Sequence, residues 1–534
     1  MSIADFLEAA AKVVGADRVS GGDAAERAYG VCTTGVRRSI GGAVSPRNQE
    51  DVAAIVAAAR ATGTPLYPIS TGNNWGYGSA NPVRDGCIVV DLSGMNRILD
   101  FDEETGLVTL EPGVTQRGLR AYLDERGLRF LCPVTGAGPD CSLIGNALER
   151  GYGITPHADH FLSIMSLEAV LPDGRIYRPP LAELGCVDVD RAFKWGVGPF
   201  LDGMFTQGAF GIVTRMTIAL APIPERVEAM FFGLPDDAML EDAVLAIRSV
   251  LREVGGVTGS INLMNRHRVL SMMEPYPRDH LGPNGLIEER HLLKLARQNQ
   301  VMPWMGAGAL YGNARVVAAA RGVIKQRLRG VSKRLMFFTP GEVSVLNRLS
   351  NYIPAAPGRT ARKVFGTLDK TLKLLAGEPS EIALPLAYWM SGTLPTDGRP
   401  MNPARDGCGL LWYSPLVPMR PTAVRDYTTM VRDICVSHRI EPLITLTSVS
   451  DRCFDSTVPI LFDRGVGDDI ERANACLDEL FRNGVERGVV PYRGHVSTVG
   501  KFMPGTEVPY WQLVKSLKMI VDPDGLMSPG RYAP

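Results

Sequence analysis

The chain has 534 residues, 45% hydrophobic and 21% charged, which predicts two or three domains and a large buried core. Lys plus Arg and Asp plus Glu are equal at 57 each, so no net field favours nucleic acid or an anionic membrane surface, and neither is expected as a partner. No apolar run approaches the roughly 18 residues that a membrane-crossing helix needs.

The opening MSIADFLEAAAKVVGADRVS carries Asp5 and Glu8 and no basic stretch, so it reads as an amphipathic helix rather than a signal peptide. Nine cysteines without a CxxC pair predict reduced thiols in a cytoplasmic protein, and the absence of CxxCH speaks against a c-type haem. His157 and His160 follow GYGITP and read as loop residues; no metal site is expected.

Residues 48–62 show apolar spacing near 3.6 and predict a helix, followed by short strands in PLYPIS and GCIVVDLS. A second unit follows: strand LVTLEPGVT, helix QRGLRAYLDERG and an extended LRFLCPVTG. Residues 163–180 predict two strands about a Pro-Asp-Gly turn, and residues 208–222 another strand. Beyond Pro222, helical segments at 237–254 and 314–331 alternate with polar connections, and residues 391–409 read as a long loop. Then come a strand (LLWYSPLVP), a helix (TAVRDYTTMVRDICVSHR), a strand (LITLTSV) and a helix (ERANACLDELFRNGVERG).

Two glycine-rich stretches carry the chemistry. STGNNWGYGSANP (70–82) sets Gly72, Gly76 and Gly78 among Ser70, Thr71, Asn73, Asn74 and Ser79. Glycine lets successive N–H groups converge on a phosphate, although a plain turn has the same composition. Residues 132–160 bring Gly136 and Gly138 to a helix start at Ser142, with Gly145 and Asn146 inside and Gly153 and Ile154 beyond. A helix start beside glycine loops suits a pyrophosphate; close helix–strand packing also wants glycine. Together they point to a large phosphate-bearing cofactor.

These two stretches occur in order with EPGVT (111–115), KWGVGPFLDGMFTQGAFGIVTRM (194–216) and DPDGLMSPGR (522–531). The set resembles the vanillyl-alcohol oxidase and para-cresol methylhydroxylase family of FAD-dependent oxidoreductases, its 4-phenol oxidizing branch. The similarity covers residues 40–225 well and 405–531 more thinly. The resemblance implies an α+β fold: a PCMH-type FAD-binding domain over 1–222, a cap domain with an antiparallel sheet over 223–468, and a segment, 469–534, returning to the first. It implies FAD on the loop 70–79, on Gly136, Gly138, Ser142, Gly145, Asn146, Gly153 and Ile154, and on Gly211, Ile212, Val213 and Arg531.

By the same resemblance Tyr77, Tyr492 and Arg493 hold a phenolic oxygen as phenolate, which donates electrons as hydride leaves the benzylic carbon and a para-quinone methide forms. A free phenol has a pKa near 10, so a guanidinium and two hydroxyls are a sensible means of favouring the anion. Dioxygen as acceptor and a homodimer are further expectations.

The departures are informative. The histidine that tethers flavin in relatives aligns with Leu410, and the tethering tyrosine falls near Ala387, with Tyr388 next to it. Non-covalent FAD is expected, with a bond through Tyr388, Cys408 or Cys132 as the alternative. The aspartate near flavin N5 aligns with Ala137, and Asp140 stands three residues on as the candidate catalytic acid. The acids and histidines that activate water are replaced by DRCFDSTVPILFDR, with Asp455, Ser456 and Pro459. Loss of that base predicts that the quinone methide of a tyrosine-derived natural-product substrate expels CO2 and leaves an alkene, with Arg405 or Arg420 on the carboxylate. A 4-alkylphenol or vanillyl-alcohol-type oxidase or hydroxylase, and a decayed flavin-binding protein, are the alternatives.

Overall fold

The computed structural model describes residues 2–350, 366, 368–503, 505 and 507–532. The chain forms two compact units, one of Met1–Gly153, Asp159–Pro222 and Arg493–Pro534, the other of Ile154–Ala158 and Ile223–Tyr492.

In the first unit, helix Ile3–Val14 starts at a Ser2–Asp5 capping box and buries Phe6, Ala10 and Val14, one stripe at helical spacing. Helix Gln49–Thr62 is capped by Asn48, ends at Gly63 in the left-handed region, and buries Val52, Ile55, Val56 and Ala59. Both pack into one core with a sheet ordered Val19–Gly21, Gly42–Val44, Ile88–Asp91, Leu66–Ile69, whose last three strands are parallel. A second, antiparallel sheet runs Ile98–Asp102, Leu107–Leu110, Ile212–Ala219, Ile164–Val170, Ile176–Tyr177. LRFLCPVTG, expected as extended, forms only a bridge from Phe130 to Pro222.

The C-terminal return closes this unit. Leu66 donates its N–H to Leu526 O and Ser528 donates to Leu66 O, each at 2.8 Å. Buried Lys518 pairs with Asp522 at 2.6 Å and donates to the carbonyls of Met527 and Ala209.

The second unit is built on a sheet of nine strands among the described residues. Its order is Lys333–Phe338, Arg226–Leu234, Trp304–Gly312, Asn262–Asn265, Thr445–Ser448, Cys453–Asp463, Pro415–Pro418, Val490–Pro491, with Cys408–Tyr413 also on Cys453–Asp463. The expected strand LLWYSPLVP breaks at Ser414 into two strands that both pair with Cys453–Asp463. Helices Leu240–Val254, Ala314–Arg327, Pro421–Ser437 and Gly467–Glu486 bury Phe232, Leu263, Trp304, Leu446, Phe454 and Val458 in one core. Helix Gly467–Glu486 was expected in the returning segment. It belongs to this unit because Ala473, Cys476, Leu477 and Leu480 lie in that core, and the return starts at Arg493. Among the described residues no helix is long and apolar enough to cross a membrane.

Candidate active site

The loop after strand Leu66–Ile69 holds an unusual backbone. Gly72, Gly76 and Gly78 have φ of +68°, +74° and +124°, and Ser79, a residue with a side chain, has +54°. Such left-handed positions turn successive N–H groups toward one side. Tyr77 N and Ser79 N donate back to Asn74 O, and Gly76 N donates to Thr33 Oγ1. The N–H groups of Thr71, Gly72, Asn73 and Asn74 donate to none of the described residues, and buried Ser79 Oγ also lacks a partner among them.

The second glycine stretch locks onto the first. Asn73 Nδ2 donates to Asp140 O at 3.0 Å, and Trp75 Nε1 to Ala137 O at 3.1 Å. Ser142 caps the short helix Leu143–Leu148 by accepting from Gly145 N, and its own hydroxyl donates to Pro112 O. A Cβ on Gly145 would press on Ser70 and Ser142, so glycine here allows the helix start to sit against the loop. Asn146 shares a 2.5 Å contact with His160 Nδ1, and a Cβ on Gly153 would overlap His160 and Val134 O. Gly138 (φ +99°) turns the backbone, whereas Gly136 is solvent-exposed. Ile154 falls in the second unit, where its carbonyl accepts from Tyr311 Oη.

Tyr77 and Arg493 meet although they are remote in sequence. The Arg493 guanidinium carbon lies 3.9 Å from the centroid of the buried Tyr77 ring, and Val496 N donates to Tyr77 O at 3.0 Å. Gly78 makes this approach possible, since a Cβ there would stand 2.5 Å from Val496 Cγ1. Tyr492 follows strand Val490–Pro491 and donates its N–H to Ser414 O.

Other predicted residues have the following surroundings. The Asp140 carboxylate pairs with Arg117 at 2.8 Å and is largely solvated, so it is not a buried acid beside the tyrosine. Ile212 packs into the first unit's core, and Val213 is buried in the ladder opposite Ala169; only their main chain is left for a ligand. Gly211 lies tight against Val170 O. Arg531 donates to Tyr67 Oη at 2.8 Å and pairs with Glu149, anchoring the C-terminal turn.

Of the tether candidates, burial pushes the Cys132 and Cys408 thiols up to about 12, which leaves them protonated and poorly nucleophilic. The Tyr388 hydroxyl donates to Asp406 at 2.6 Å. Arg405 is paired with Asp406, and Arg420 is an exposed residue ahead of helix Pro421–Ser437. Ser456 turns into the helix layer, where it accepts from Tyr427 Oη and donates to Thr445 O.

In the second unit, cross-strand pairing puts Asn262, Thr447, Asp455 and Leu416 in one row and Met264, Thr445 and Thr457 in another. By strand alternation this face is opposite the one bearing Leu263, Leu446 and Phe454, which packs on the helices. The sheet therefore keeps a polar face away from its helix layer, with a buried carboxylate at Asp455. Sequence reading placed Thr445 and Thr447 on a strand but missed this face, because the pairing with Asn262–Asn265 and Cys453–Asp463 that assembles it is long-range.

The unmatched amides at 71–74 and the unmatched Ser79 hydroxyl, in a loop turned by Gly72, Gly76 and Gly78, fit the pyrophosphate of FAD. Residues 41–178 match the FAD binding domain family. The chain is 36% identical to 1'-carboxy-chondrochloren decarboxylase of Chondromyces crocatus, over 98% of this chain and 96% of that one. It is 26% identical to the 4-cresol dehydrogenase [hydroxylating] flavoprotein subunit of Pseudomonas putida, over 92% and 87% of the two chains. The solved structure of p-cresol methylhydroxylase with substrate bound superposes with a TM-score of 0.86 at 23% identity, covering 99% of this chain and 96% of that one, a likeness of fold. The chain is an FAD-binding enzyme and belongs to the vanillyl-alcohol oxidase and para-cresol methylhydroxylase family of FAD-dependent oxidoreductases.

Proposed function

We propose that the enzyme oxidises a para-substituted phenol bearing a carboxylate and releases CO2 to give an alkene. The observation that carries the first half is the Arg493 guanidinium against the Tyr77 ring. A fixed cation beside a phenol hydroxyl holds the bound phenol as its anion through a charge-assisted hydrogen bond, and the hydroxyls of Tyr77 and Tyr492 are the proposed donors alongside it. FAD, held non-covalently by the loop 70–79, supplies the two-electron acceptor for the benzylic hydride.

The second half rests on the relationship to a decarboxylase along the whole chain. Loss of hydride from a phenolate leaves a para-quinone methide. With a carboxylate on the carbon next to the benzylic position, the C–CO2 bond breaks and its electron pair becomes the new C=C bond. The ring regains aromaticity as phenolate, and no protein base is needed. A tyrosine-derived natural product meets these demands. Dioxygen is the proposed final acceptor, taking two electrons and two protons to hydrogen peroxide, and two copies of the chain are proposed to pair.

The phenolate reading is tested by anaerobic mixing with phenols and their methyl ethers. The phenols bleach the flavin and the ethers do not. Equal bleaching by both would remove Arg493 from its assigned role.

A further inference from the structure

Helix Arg266–Met273 in the second unit opens with Arg266, His267 and Arg268 and has no acid in its first turn. Burial pushes His267 down to about 4 and leaves it neutral, so two cations, Arg266 and Arg268, run against the helix dipole and each calls for an acceptor. Arg266 has Glu289 at 3.6 Å, and His267 has Glu441 at 3.9 Å. Arg268 has neither. Its Nε and Nη1 are shut off from solvent without a hydrogen-bond partner, and none of its guanidinium donors reaches an acceptor among the described residues. Only its main-chain N–H is matched, donating to Asn265 Oδ1 at 3.0 Å.

Arg268 as a whole is partly buried, but a guanidinium with two of its three nitrogens out of solvent and no counter-charge is costly, and at neutral pH an arginine keeps its charge even where burial weakens it. Two further polar atoms are unmatched on the strand leading into this helix and on the strand beside it. Asn262 Oδ1 and Thr445 Oγ1 are both buried without partners, on neighbouring strands and on the sheet face turned from the helix layer.

We infer that Arg268 is an anion-binding residue whose ligand is a carboxylate. A single guanidinium balances one negative charge, and its planar fork matches the two oxygens of a carboxylate with parallel N–H···O bonds. A phosphate dianion leaves one charge over, with no second unpaired cation at this helix start to meet it. That this carboxylate is the group the substrate loses as CO2 rests on the function proposed above; anion binding at Arg268 does not.

The test uses the flavin-loaded enzyme and two probes that the phenol chemistry cannot consume, 3-(4-methoxyphenyl)propionate and its primary amide, titrated calorimetrically. The acid binds wild type more tightly than the amide. Arg268→Gln reduces that preference by roughly 10- to 100-fold, the loss of a charge-assisted pair of hydrogen bonds, and Arg268→Lys restores part of it. Arg268→Met raises the urea midpoint of the ligand-free protein, because it removes an unpaired, partly buried charge; a structural arginine would lower it. An acid that binds Arg268→Gln as tightly as wild type, or no more tightly than the amide in wild type, overturns the inference. Flavin bleaching by 3-(4-hydroxyphenyl)propionate is scored separately. If it fails while the titration succeeds, the phenol reading falls and the anion site stands.

Discussion

The guanidinium of Arg493 stacks on the ring of Tyr77 at 3.9 Å, joining the returning C-terminal segment to the glycine loop 70–79. The contact fixes the cation over the tyrosine ring before any substrate arrives, and preorganised charge is effective because nothing has to move at the moment of reaction. Arg493→Ala slows anaerobic flavin reduction by about 10- to 100-fold, the worth of one charge-assisted hydrogen bond. A non-reactive phenol bound to the variant at pH 7 shows the absorbance of neutral phenol, whereas bound to wild type it shows that of phenolate. Tyr77→Phe keeps the ring stack and loses less.

Gly78→Ala places a methyl group on Val496 at a backbone φ of +124°. Two costs are combined, a clash and strain in a region that side chains avoid. The variant purifies with less flavin, read as the ratio of flavin to protein absorbance. Gly78→Ala with Val496→Ala relieves the clash alone and recovers only part of the flavin.

Lys518→Met leaves Asp522 buried without its cation, while Asp522 still accepts from Leu526 N and Met527 N. The loss is about 3–5 kcal/mol of stability, measured as the urea midpoint. The double variant Lys518→Met, Asp522→Asn is more stable than the single one.

Much of this was legible in the chain. Gly72, Gly76 and Gly78 marked a loop of left-handed turns because positive φ is a local demand that one residue type meets cheaply. Asn48 and Gly63 bound their helix for similarly local reasons. What was hidden depends on register and on distant partners. The sequence assigns no element to Cys453–Asp463, since Asp455, Ser456 and Pro459 break its apolar pattern; it is a central strand whose polar side chains find Tyr427 on one face and avoid the helix layer on the other. The partner of Asp140, the candidate acid, is Arg117, a helix residue that the sequence does not link to it. Arg268 gave no signal, since a basic helix start usually means a solvated surface.

Buried Asp202 predicts a pH effect. Tyr177 Oη donates to its carboxyl at 2.5 Å, yet burial dominates and pushes the carboxyl up to about 6. The native state therefore keeps a proton that the unfolded chain has released from about pH 4 upward, and the stabilisation present below pH 4 is lost as pH rises through 6, on the order of 3 kcal/mol. Asp202→Asn flattens that part of the curve, seen by comparing urea midpoints of the two proteins from pH 4.5 to 7.

The most direct measurement of the proposed reaction is anaerobic mixing of the flavin-loaded enzyme with an N-acyl tyrosine, following flavin absorbance and trapped CO2 together. The expected result is bleaching with one CO2 released per flavin reduced. Bleaching without CO2 would contradict the decarboxylation, and absence of bleaching by this and every other phenol would contradict the phenolate site of Tyr77 and Arg493.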